Sequence, residues 1–89
     1  MTREQLDQAA ESLERAGEAA RNDEARERLE KQAAAFETLA TADRGPDHGK
    51  IARHEHILTE IAADEEAAAE HIEAALESIR AYRSTVEGV

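Results

Sequence analysis

Asp43-Arg44-Gly45-Pro46-Asp47-His48-Gly49-Lys50 is the one clear interruption in a chain otherwise written for helix. It holds the only Pro and two of the four Gly, and it splits the 89 residues into nearly equal halves. Gly45 can adopt the left-handed conformation that ends a helix, and Pro46 suits the first turn of the next one. The expected layout is a single helical domain over residues 1–89, with a helix over about 3–42, a Gly-Pro joint at 43–49 and a second helix over about 47–85.

On the N-terminal side, Thr2-Arg3-Glu4-Gln5 reads as a capping box, which starts the first helix almost at once. Leu6, Ala9, Ala10, Leu13, Ala16 and Ala20 follow at three- and four-residue spacing and form one apolar stripe. A second stripe runs through Ala25, Leu29, Ala33, Phe36, Leu39 and Ala40. At 100° per residue it is displaced by about a third of a turn from the first, and the shift falls at Arg21-Asn22-Asp23. A tight turn with Asn22 or Asp23 as the new N-cap would produce it, and so would one continuous helix that uses different faces in its two halves. No Gly or Pro lies between Arg21 and Glu24, which weighs against a reversal.

On the C-terminal side, Ile51, Leu58, Ile61, Ala68, Ile72, Ala75, Ile79, Tyr82 and Val86 form a nearly continuous a/d-type stripe with one weak point, Glu65. Helices of about 60 and 58 Å, at ~1.5 Å per residue, would cover each other from end to end. The expected fold is therefore all-α: a long antiparallel α-hairpin. A lone two-helix hairpin encloses no core, so two hairpins are expected to form a homodimeric four-helix bundle. The alternative is a three-helix bundle with a break near residues 22–23.

Composition narrows the class further. Of the 40 % hydrophobic residues most are Ala, so the larger apolar side chains are few, and no Cys is present to supply a disulfide. A scaffold of this size rarely draws more than ~3–5 kcal/mol from its core, which again favours self-association. Asp and Glu number 21 against 11 basic residues, for a net charge of −10, and only Lys31 and Lys50 are Lys. From Glu55 to Ile79 there is no Lys or Arg at all. Such an excess repels itself in dilute buffer but is screened over ~3 Å at molar salt. The composition fits a halophile cytoplasm. The N-terminal residues lack the apolar run of a signal peptide, and no run approaches the ~20 apolar residues of a membrane span. Nucleic acid is not expected as a partner, because phosphate binding needs clustered Lys and Arg.

Two strings, Arg44-Gly-Pro-Asp-His-Gly-Lys-Ile-Ala-Arg53 and Ala81-Tyr-Arg-Ser-Thr-Val-Glu-Gly-Val89, resemble those of small acidic haloarchaeal proteins of unknown function. The resemblance spans the chain and implies a long helical hairpin. It brings no catalytic residues with it.

The candidate binding residues are Arg44, His48, Lys50 and Arg53, placed around the Gly-Pro joint where helix-start N–H groups and basic side chains could hold an anion or an acidic partner. The competing reading is a plain turn in which Asp47 offsets the helix dipole. His54 and His56 point about 200° apart on a helix and cannot share a metal within one chain. His56 and Glu60 have chelating spacing, but no third ligand is implied, so no metal site is expected. His54 falls on the apolar stripe and reads as a packed residue. None of the four His has Glu three residues before it, against a di-iron bundle. Glu-x-x-Glu and Glu-x-x-Asp pairs abound, as they must in so acidic a helix, and their order does not match Mg²⁺-dependent nucleotide hydrolases. No catalytic residue and no cofactor is expected. Function reduces to a non-catalytic structural or protein-interaction module in the cytoplasm, or else a small-ligand, anion or metal-binding module using residues 44–56.

Overall fold

The computed structural model describes residues 3–42 and 48–87. Four helices follow one another: α1 (Glu4–Ala19), α2 (Asp23–Thr41), α3 (His48–Asp64) and α4 (Glu66–Glu87). The body measures 39 × 19 × 17 Å, too short for a 60 Å rod. The two long helices expected from the stripe spacing are each broken once, so the chain makes four arms of roughly 24–33 Å at ~1.5 Å per residue.

The first break is at residues 20–22. Ala20 (φ −64°, ψ 136°) and Asn22 (φ −91°, ψ 128°) are both extended, and among the described residues none has positive φ. The reversal is built from ordinary β-region residues, so the lack of Gly and Pro did not prevent it. Asn22 caps α2 by accepting a hydrogen bond from the Ala25 N–H at 3.1 Å. Arg26, one turn into α2, reaches back to the end of α1. Its Nη2 donates to the Ala20 carbonyl at 2.9 Å and its Nε to that of Gly17 at 3.3 Å. These are among the carbonyls a helix end leaves unsatisfied, at the negative end of its dipole.

The second break is at Glu65, the weak point of the C-terminal stripe. Its backbone N–H still donates to the Ile61 carbonyl (2.8 Å), while its carbonyl accepts from Ala68 (3.2 Å) to begin α4. The side chain is 8 % exposed, and its Oε2 accepts from the backbone N–H of Arg21 at 3.1 Å and of Asn22 at 2.9 Å. One carboxylate thus ties the α3–α4 reversal to the α1–α2 reversal. A charged side chain tolerates this position because it is hydrogen-bonded, not because it faces water.

These contacts determine the topology. Arg3 Nη1 donates to the carbonyls of Leu39 (3.0 Å) and Ala42 (2.8 Å), and its backbone N–H to Ala40 (2.9 Å), so the start of α1 lies beside the end of α2. Arg3 is the N-cap residue of α1 and makes no side-chain cap of its own; the expected Thr2 cap lies outside the described residues. Arg83 of α4 bonds Glu55 of α3 at 3.0 Å, so α3 and α4 fold back on each other. The chain runs up, down, up, down. α1 packs against both α2 and α4, α3 packs mainly on α4, and α2 and α3 approach each other least.

The apolar stripes meet inside. Leu6, Leu13, Leu29, Phe36, Ile51, Leu58, Ile61, Ile72, Leu76 and Ile79 are all essentially inaccessible, and the core Ala residues interleave with them. The shifted stripe of α2 has its explanation here, since α1 and α2 are separate helices that each aim one face at the common core. The α4 part of the C-terminal stripe is covered by α1, not left bare. The chain therefore closes a four-helix core without a second copy, and the packing argument that called for a dimer falls away.

Candidate functional site

Of the four residues expected around the Gly-Pro joint, Arg44 lies outside the described residues, as does the joint itself at 43–47. His48 begins α3. Lys50 and Arg53 follow at i, i+3 on the same helix, and both are exposed. The structure places these two as neighbours on one surface of α3.

His54, next along α3, turns inward at the α2–α3 seam. Its Nδ1 lies 2.6 Å from Gln32 Oε1, and its ring meets that of Phe36 edge-on, with centroids 5.1 Å apart and planes at 62°. Burial, and after it the positive charge of Arg53, lowers its pKa from the ordinary 6.5, which favours the neutral ring. Neutral, with Nδ1–H donating to Gln32, the ring is a packing element. Glu55 is held by Arg83 across the α3–α4 seam, and both are mostly buried. His56 Nε2 pairs with Glu60 Oε1 at 3.0 Å on an open surface. Among the described residues no three His, Cys, Asp or Glu come together in a way that could hold a metal ion.

A different region of the surface is recessed. Between α1 and α4 runs a groove of about 460 Å³, lined on the α1 side by Gln5, Gln8, Ser12 and Arg15 and on the α4 side by Ala74, Ser78 and Ala81. Glu11 and Glu77 stand at its edges. A second groove of about 480 Å³, between α1 and α2, is lined by Glu14, Gly17, Glu18, Arg26 and Glu30. It is charged almost throughout, and Arg26 is already committed to the end of α1.

A family model matches residues 1–85, and its description is a family of unknown function, DUF7553. The chain belongs to the DUF7553 family. Comparison with curated proteins and with solved structures finds no match. Membership thus supports the expectation of a family without assigned function and brings no chemistry with it. No helix of the described part is long and apolar enough to cross a membrane.

The groove of this DUF7553 protein was not foreseen from its sequence. Gln5, Gln8, Ser12 and Arg15 recur at i, i+3, i+7 and i+10, a polar edge beside the apolar stripe of α1. That spacing was visible, but it borders a groove only because α4, after the reversal at Glu65, packs along α1.

Proposed function

We propose that the protein is a non-catalytic structural or interaction module, built as an acidic four-helix body for the cytoplasm of a halophile. The observation that carries this reading is where its fixed polar contacts go. Arg3, Asn22, Arg26 and Glu65 each serve a helix end or a reversal, and Gln32–His54 and Glu55–Arg83 join helices. Large apolar side chains are committed to the core in the same way. What remains outside is a charged surface whose chemistry is contact with other macromolecules.

Charge distribution supports the same reading. The run without Lys or Arg, Glu55 to Ile79, is folded in two at Glu65, so Glu60, Asp64, Glu66, Glu70 and Glu73 gather toward one end of the body. Mutual repulsion there is relieved by concentrated salt. Thermal unfolding followed from dilute buffer to multimolar KCl tests the halophile part, with a rising melting temperature expected and a flat or falling one refuting it. Cross-linking in multimolar KCl, wild type against a Glu66→Lys/Glu70→Lys/Glu73→Lys variant, tests the interaction part; an identical set of adducts refutes contact through this end. Phosphate release from a nucleotide panel with Mg²⁺ would overturn the non-catalytic reading. We read the single chain as the working unit, and light scattering in the same salt measures it directly.

A further inference from the structure

Hydroxyl groups within these helices differ in whether they bond their own backbone, and the exposed Ser84 of α4 makes no such bond. Thr38, Thr41 and Thr59, on exposed faces, each donate to the carbonyl four residues earlier, at 3.1, 3.4 and 2.8 Å. Ser12 and Ser78, half-buried in the α1–α4 groove, make no such bond, and Gln5, Gln8 and Arg15 likewise have no partner among the described residues. On the α4 wall, Ala74, Ser78 and Ala81 carry nothing larger than a hydroxymethyl group, so the recess stays open.

We propose that the groove between α1 and α4 binds a small neutral polyhydroxylated solute, a sugar or polyol, through Ser12, Ser78, Gln5 and Gln8. Hydroxyls and primary amides both donate and accept, as do the hydroxyls of such a solute, whereas a charged group works in one direction only. Arg15 at one end and Glu11 and Glu77 at the edges add a donor and two acceptors suited to vicinal hydroxyls. The same mixture disfavours ions: Arg15 opposes a cation, and two local carboxylates with a net charge of −10 oppose an anion. The α1–α2 groove, similar in volume, lacks this neutral hydrogen-bonding centre.

Affinity is expected on the order of millimolar, because each hydrogen bond made replaces one to water. The test is a ¹H–¹⁵N titration of the whole chain with trehalose, and in parallel with glycine betaine and putrescine. Saturable shifts confined to residues 5–15 and 74–81, for trehalose alone, are the expected result. Ser78→Leu fills the recess and should abolish saturation. The Ser12→Ala/Ser78→Ala variant, which removes no packing, should weaken it at least several-fold with the melting temperature unchanged. Linear or scattered shifts, saturation that survives Ser78→Leu, or a stronger response to betaine or putrescine would each overturn the assignment. Since the inference goes beyond the interaction reading and concerns a different surface, its failure leaves that reading standing.

Discussion

Replacing Glu65, a buried carboxylate that ties the two reversals together, with Ala should measurably destabilise this protein. The carboxylate accepts two backbone hydrogen bonds, at 2.9 and 3.1 Å, from a turn more than forty residues away in sequence. A hydrogen bond to a charged group contributes ~1.5–3 kcal/mol net, which would place the pair near ~3–6 kcal/mol. Arg21 and Asn22 are exposed, however, so water can reach their N–H groups once the carboxylate is gone. We therefore expect a loss of about 2 kcal/mol for Glu65→Ala, below the sum for two such bonds. For a chain of this size that lowers the melting temperature by roughly 8–16 °C. Glu65→Gln keeps an acceptor oxygen in place and should lose no more than about half as much. Urea unfolding monitored by circular dichroism gives both values. Hydrogen exchange at the Arg21 and Asn22 amides gives the local one, with faster exchange in the Ala variant. Glu65→Ala as stable as wild type would refute the reasoning. So would Glu65→Gln falling as far as Glu65→Ala, since the acceptor would then be irrelevant.

Other outcomes follow from single sites. At Gly17 an added Cβ would meet Glu30 Cγ at 3.7 Å and Leu29 Cβ at 3.9 Å, ordinary contacts, so Gly17→Ala should stabilise by ~0.5–1 kcal/mol in chemical denaturation. Phe36, wholly buried at the centre of the core and against His54, should cost ~3–5 kcal/mol when truncated to Ala, visible as a large drop in the urea midpoint. His54 makes stability depend on pH. Its folded pKa lies below 6.5, so the unfolded chain binds the proton more readily. Its contribution is complete above 6.5 and is lost as the pH falls from there through the folded value. Wild type compared with His54→Gln across that interval should show a difference that shrinks toward acid pH; a constant difference would refute it.

The class of the fold was legible because the stripes were real. Nearly every apolar position singled out, from Leu6 to Ile79, is in the core. The number of helices was not legible, for a physical reason. Gly and Pro are the usual marks of a reversal, whereas the break near residues 22–23, expected only as the alternative, and the unexpected one at Glu65 use negative-φ backbone, and the first is held by Arg26 and by Glu65 from across the bundle. Asn22 was correctly seen as a possible cap, but a capping residue alone does not show that the preceding helix has ended. Glu65 registered as a defect in a heptad, and what it accepts from cannot be read until Arg21 and Asn22 are known to lie opposite. On the site side, His54 was legible as a packed residue from its place on the stripe. The groove was not, since its two walls are some sixty residues or more apart in sequence.

That separation also bears on how the molecule comes together. α1 is the helix that touches both α2 and α4, so its packing on α4 joins the two extremes of the described chain. Closing a loop of that length costs on the order of 4 kcal/mol in chain entropy before any of the shared core repays it. Either helical pair alone would keep the local reversal but lose the opposing wall of the shared core, to which α1 gives Leu6 and Leu13 and α4 gives Ile72 and Ile79. No half of this protein should melt by itself: spectroscopic signals from α2 and from α3 should change together, in one transition, despite the sparse contact between those two helices.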